Sequence, residues 1–216
     1  MTQLELARKG TQSPQMETVA RVEGLPVEFI RQGIACGKIV VPANVRHENL
    51  VACGIGAGLK TKVNANIGTS SDFCDTDMEL EKLKAAVDSG ADTVMDLSTG
   101  GDIAAVRRAI IASSPLPVGT VPVYQAAIRA SGKGETIVGM GVDELFDMIR
   151  EHMLDGVDFI TVHSGVTRAA VARLAEQGRV TDVVSRGGAI LIGWMLHNEK
   201  ENPLYEHYDR LLDMAK

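Results

Sequence analysis

Two rhythms of apolar residues divide the chain. Over the first 35 residues Leu4, Ala7, Met16, Val19 and Val22 recur at helical spacing, interrupted by Gly10 and by Gly24-Leu25-Pro26. Residues 27–35 read as a further short helix, stopped by Gly37. Lys38-Ile-Val-Val-Pro-Ala-Asn44 is a short extended run whose Pro42 suits an edge or a lead-in, because proline cannot donate to a central ladder. Gly54-Ile-Gly-Ala-Gly58 predicts a turn. It lacks both the G-x-G-x-x-G spacing and the later acidic residue of a dinucleotide site.

From residue 60 onward, short apolar runs alternate with amphipathic stretches. The runs predict strands over 60–67, 93–97, 117–123, 159–162 and 180–184. Between and after them the spacing predicts helices over 77–89, 102–113 with Asp102 as N-cap, 126–130, 142–155, 168–177 and 189–198, and a closing amphipathic helix from about 205 to 215. Ser131-Gly-Lys-Gly134 reads as a loop. The clearest unit is Gly156-Val-Asp-Phe-Ile-Thr-Val-His-Ser-Gly165, where a turn signal, an apolar run and an abrupt polar stop follow one another. Such a run predicts a strand buried on both faces, with His163 at its C-terminal mouth, where α/β proteins hold ligands. Gly90-Ala-Asp-Thr-Val-Met-Asp-Leu-Ser98 repeats the pattern. The expected fold class is α/β: a parallel (β/α) barrel of TIM type, incomplete at about five of eight units, with a short N-terminal helical extension. Residues 1–60 form the helical and extended lead-in, and 61–216 the partial barrel. A closed barrel takes eight units and ~250 residues, so the chain reads either as the front of a larger barrel or as a doubly wound sheet.

Composition narrows the chemistry. Aromatic residues make up 4% of the chain and the net charge is −6, which argues against a base-stacking or phosphate-backbone surface for nucleic acid. The N-terminus has no secretory signal, and no apolar run approaches the ~20 residues of a membrane span. A cytosolic protein is expected. Cys36, Cys53 and Cys74 form no Cys-x-x-Cys pair and read as buried, reduced thiols. His47, His152, His197 and His207 show no metal-ligand spacing, and Gly-x-Ser-x-Gly is absent.

What remains is the set of strand exits: Asn64 and Asn66; Met95, Asp96 and Ser98; Tyr124 and Gln125; His163 and Ser164; Ser185 and Arg186. On one rim these groups would bind a small polar ligand with sugar and phosphate character. Arg186, before Gly187-Gly188 at the start of a helical region, suits an anion shared with backbone N–H groups. Each has a plainer reading. His163 can be a structural hydrogen-bonder, Met95 a core residue, Asp96 a cap for the next loop, and Tyr124 a packing residue with a wet hydroxyl.

These segments resemble the phosphomethylpyrimidine synthase family of thiamine pyrimidine biosynthesis, a radical S-adenosylmethionine (SAM) family. The resembling runs are Met1-Thr-Gln-Leu-Glu-Leu-Ala-Arg-Lys-Gly10, Val41-Pro-Ala-Asn44, Val63-Asn-Ala-Asn-Ile-Gly68, Ala91-Asp-Thr-Val-Met-Asp-Leu-Ser-Thr-Gly100, Pro117-Val-Gly-Thr-Val-Pro-Val-Tyr-Gln125, Val162-His-Ser-Gly165, Val184-Ser-Arg-Gly-Gly188 and Lys200-Glu-Asn202. The resemblance implies a (β/α)8 barrel that binds aminoimidazole ribonucleotide at its strand C-termini and converts it to hydroxymethylpyrimidine phosphate. It implies substrate contacts at Asn66, Met95, Tyr124, His163, Ser185, Arg186 and Gly187. A 4Fe-4S cluster, S-adenosylmethionine and zinc are implied as family cofactors. Their ligands, two histidines and a Cys-x-x-Cys-x4-Cys motif, are expected beyond residue 216, so no metal ligand is assigned here. On this reading the chain is a fragment, a split product or a truncated one, forming a homo-oligomer or pairing with a missing C-terminal half. The paralogue 5-hydroxybenzimidazole synthase, of anaerobic cobamide biosynthesis, shares these motifs and is the alternative. A non-catalytic nucleotide-binding or interaction module is the third reading.

Overall fold

The computed structural model describes residues 1–132 and 136–216. Three helices open the chain: α1 (Gln3–Arg8), α2 (Pro14–Glu23) and α3 (Val27–Ala35). Thr2 and Glu5 cap each other reciprocally, and the Ser13 hydroxyl accepts the Met16 N–H ahead of Pro14 at the first helical position. Their inner sides, including Met16, Val19, Ile30 and Ile34, form one apolar cluster with Ile39 and Ala52. Strand β1 (Ile39–Val40) pairs antiparallel with β2 (Ile55–Gly56). The glycine stretch 54–58 is therefore only in part the turn its composition predicted: Ile55 and Gly56 are strand, and the turn follows them.

The main sheet holds β3 (Asn64–Ile67), β4 (Thr93–Asp96), β5 (Val118–Thr120) and β6 (Phe159–Ile160) in that spatial order. β3–β4 and β4–β5 run parallel, with Asn66 opposite Met95 and Met95 opposite Gly119. This is an α/β fold: α4 (Thr76–Asp88) and α5 (Ile103–Ser113) follow β3 and β4, capped by Asp75 and Asp102. Ile67, Val94 and Val118 on one face of the sheet are buried, as are Leu83, Val106 and Ile110 on the two helices. On the other face Gly119 leaves room for the Phe159 ring, since a Cβ there would fall 2.2 Å from a ring carbon.

The loop before β2 is locked to the β5–β6 region by a buried pair. His47 Nδ1 lies 2.7 Å from Asp158 Oδ2, and Nε2 lies 2.8 Å from the Ser114 carbonyl. Asp158 also accepts the backbone N–H groups of Asn44 and Val118. Both ring nitrogens face acceptors, which an imidazolium satisfies at once. Burial opposes that charge, yet the hydrogen bond and negative charge of Asp158, with the Ser114 carbonyl, hold the His47 pKa above its ordinary 6.5. The sign follows from linkage. The pair's contribution is complete below the unfolded-state value of 6.5 and disappears as pH climbs through the raised folded-state value. Urea midpoints should fall as pH rises through that window, and His47→Gln should flatten the profile.

Two compact units emerge: Met1–Thr120 with Leu154–Phe159 and Lys216, and Val121–Met153 with Ile160–Ala215. The second is mostly helical, with α6 (Pro122–Gly132), a 3-10 turn (Ile137–Gly139), most of α7 (Val142–Asp155), α8 (Arg168–Gln177), α9 (Arg186–Asn198), α10 (Pro203–Glu206) and α11 (Tyr208–Met214). Within it Trp194 Nε1 donates to the Met140 carbonyl at 2.7 Å, and His152 Nε2 lies 2.9 Å from Gln125 Oε1. Among the described residues no helix is long and apolar enough to cross a membrane.

Several expectations need correcting. The strands are shorter than their apolar runs, and β6 is half-buried rather than enclosed on both faces. The run 117–123 stops being strand at Thr120, because Pro122 opens α6, a position that tolerates its missing N–H. The fifth strand, 180–184, is not formed. Val180 and Val184 stand in solvent, and Asp182 bonds the Val183 N–H that a ladder would use. Ser131 and Gly132 finish α6 rather than opening a loop, while Lys133 and Gly134 lie outside the described residues. Nor are the thiols all buried: Cys36 and Cys74 are exposed, and only Cys53 is partly covered.

Candidate functional site

The predicted exits fall into two sets, one in each unit. In the first, parallel register puts Asn66 and Met95 side by side on β3 and β4. Asn66 Oδ1 accepts from Asn64 Nδ2 at 2.8 Å, and Asn64 in turn accepts from the Thr93 hydroxyl. Asn66 is exposed, and Met95 is half-buried rather than a closed core residue. The loops leaving these strands are knitted together, with the Thr69 N–H on Ser98 Oγ, the Thr69 hydroxyl on the Gly100 carbonyl, and the Gly68 N–H on the buried carboxylate of Glu79. Asp96 takes the plainer of its two readings. Its Oδ1 accepts both the N–H and the hydroxyl of Ser98, and burial pushes its pKa up against those hydrogen bonds.

The second set gathers where α9 begins. Ser185 is the N-cap, its hydroxyl accepting the Gly188 N–H at 3.2 Å, so Arg186 and Gly187 occupy the first helical turn. The N–H groups of such a turn have no intrahelical partner. His163 Nε2 lies 3.0 Å from Ser185 Oγ. The Arg186 guanidinium is exposed and sits 5.3 Å from the centroid of the Tyr124 ring, a cation–π contact. Among the described residues no carboxylate neutralises it. His163 Nδ1 is buried and, again among the described residues, has no hydrogen-bond partner. Burial lowers the His163 pKa, so the ring is neutral near neutral pH. Whichever way the Ser185 proton points, Nδ1 remains without a partner among the described residues.

Gly187 turns out to be a steric requirement of His163. A Cβ at 187 would stand 2.2 Å from His163 Cε1. Gly187→Ala should push the ring off Ser185 while leaving helix α9 in place. Loss of the histidine's slow-exchanging ring-proton signal, with helicity unchanged by circular dichroism, is the expected result. Of the remaining exit residues, Gln125 is buried, with its Oε1 2.9 Å from His152 Nε2. Sequence reasoning overlooked Asn202, which is fully buried and bonds the loop that carries His163.

The family model described as "Radical SAM ThiC family" matches residues 2–216. The chain belongs to that family. Its relatives include the phosphomethylpyrimidine synthases of Desulforudis audaxviator (58% identical over 215 residues), Moorella thermoacetica (57% over 216) and Thermoanaerobacter sp. strain X514 (56% over 216). All of this chain is covered in each case, against 50% of each relative. The chain therefore spans about half the length of these relatives. Membership in a radical SAM family implies a 4Fe-4S cluster and S-adenosylmethionine. The side chains described here do not fit the cluster. Cys36, Cys53 and Cys74 do not converge, and among the described residues no group of three or more His, Cys, Asp or Glu could hold a metal ion.

Proposed function

We propose that this chain is the front part of a radical SAM lyase that converts aminoimidazole ribonucleotide to hydroxymethylpyrimidine phosphate. The observation that carries this reading is the family match over residues 2–216, combined with the His163–Ser185–Arg186 constellation at the start of α9. An exposed guanidinium beside free helix N–H groups suits a phosphate, and a neutral, half-satisfied imidazole suits a polar ring or ribose atom. The proposed substrate contacts are Asn66, Met95, Tyr124, His163, Ser185, Arg186 and Gly187. The consecutive order β3-β4-β5-β6 is what the opening of a closed (β/α)8 barrel requires, and the fold is proposed to be that barrel. Cluster and zinc ligands would come from the half of the relatives' length that lies outside this chain. Pairing with that half, or self-association, is proposed, as is a cytoplasmic location.

The test is product analysis of the full-length protein, supplied anaerobically with aminoimidazole ribonucleotide, S-adenosylmethionine and a reductant. Pyrimidine phosphate supports the reading. Release of 5-hydroxybenzimidazole transfers the chain to the paralogue. Binding without turnover makes it a non-catalytic nucleotide-binding module.

A further inference from the structure

We propose that Asn202 is a positioning residue for His163, its buried amide fixing the loop that carries the imidazole. The idea rests on the reading of His163 as a substrate contact. After β6 ends at Ile160, no helix or strand begins until Arg168. The carbonyls of this loop therefore lack a ladder to join, and a mobile loop would not hold a ring nitrogen at 3.0 Å from Ser185. Within the loop the His163 carbonyl accepts the Val166 N–H at 3.2 Å, and Asn202 adds partners from outside it. It has no solvent exposure, and its Nδ2 donates to the carbonyls of both His163 and Val166, at 2.8 Å each. Its Oδ1 accepts the Leu204 N–H at 2.9 Å. Both amide protons and the amide oxygen are used, so the side chain has one orientation and the loop one seat.

A second grip comes from the neighbouring residues. The Glu201 carboxylate accepts the Arg168 N–H, at 3.0 and 3.3 Å, and the Asn202 N–H at 2.8 Å. Arg168 Nη1 returns a bond to the Glu199 carbonyl at 2.6 Å. Glu199 has φ 54°, the single non-glycine residue in the left-handed region among the described residues. Such strain persists where the surroundings over-determine it. Here it turns the chain out of α9 so that residues 200–202 face the loop.

The plainer role for Asn202 is as N-cap of the four-residue α10, ahead of Pro203. Asn202→Ser separates the two roles, because serine caps as well as asparagine but cannot bond both carbonyls. Asn202→Asp is the second variant, keeping shape and cap while removing both donors. In the full-length protein, with histidine labelled at Cε1, the His163 titration is followed by NMR and aminoimidazole ribonucleotide binding by calorimetry. We expect the His163 midpoint to rise toward that of an open imidazole and affinity to fall tenfold or more. Asn198→Ser, which removes the Asn198 Nδ2 bonds to the Val138 and Trp194 carbonyls in the same unit, should change neither. A His163 signal unmoved in a folded Asn202 variant overturns the proposal, whatever happens to affinity. Failure of both variants to fold overturns it too, in favour of a purely structural role. His163→Ala with unchanged affinity would instead defeat the substrate-contact reading, leaving the NMR titration to judge the positioning.

Discussion

Asp158→Ala should destabilise the chain by about 3–5 kcal/mol, the cost of removing one member of a buried ion pair. Three groups would lose their acceptor: the His47 ring, the Asn44 N–H and the Val118 N–H. The side chains of His47 and Asp158 are essentially inaccessible to water, so solvent cannot take the carboxylate's place. A neutral His47 could still bond the Ser114 carbonyl through one nitrogen, which makes Asp158→Ala worse than His47→Ala. Chemical denaturation of the two variants against the parent checks both the size and the order of the effects. Equal losses would mean that the ring, and not the backbone contacts of Asp158, carries the stabilisation.

Arg186→Ala should weaken aminoimidazole ribonucleotide binding by ~1.5–3 kcal/mol, roughly ten- to a hundredfold, the scale of a hydrogen bond to a charged group. The guanidinium lies over the Tyr124 ring, 5.3 Å from its centroid, and keeps its donors exposed for an anion. Lysine keeps the charge but not the forked donor set, and Arg186→Lys should recover only part of the loss. Calorimetry on the full-length protein is the measurement. An affinity equal to that of the parent removes Arg186 from the site.

The helices were more legible in the sequence than the strands. α3, α7 and α8 begin and end where spacing and punctuation predicted, because helical periodicity accumulates over ten or so positions. Strands of two to four residues carry too few positions for a period to register, and β-branched residues misled at 180–184, where Val180 and Val184 are exposed. Pro122 was read as the tail of a strand when it opens α6. In the candidate site, Arg186 is legible as an arginine before Gly187-Gly188 at a helix start, and the structure leaves its side chain exposed. Gly187 was harder, since its small size answers to a histidine 24 positions earlier that no local pattern reveals. Asn202 left a signal in Asn-Pro, the signature of a helix start, but its contacts with residues 163 and 166 are long-range.

The exposure of two thiols has a practical bearing. Cys36 and Cys74 stand open to reagents, whereas partial burial raises the Cys53 pKa and withholds its thiolate. A maleimide dye added in limited amount would tag the open pair ahead of the third. Cys74 lies beside Gly100 and bonds the Ser70 carbonyl, so a fluorophore there would sit on the joined loops after β3 and β4. That end of the sheet thus carries its own attachment point for an optical reporter, with no engineered cysteine needed.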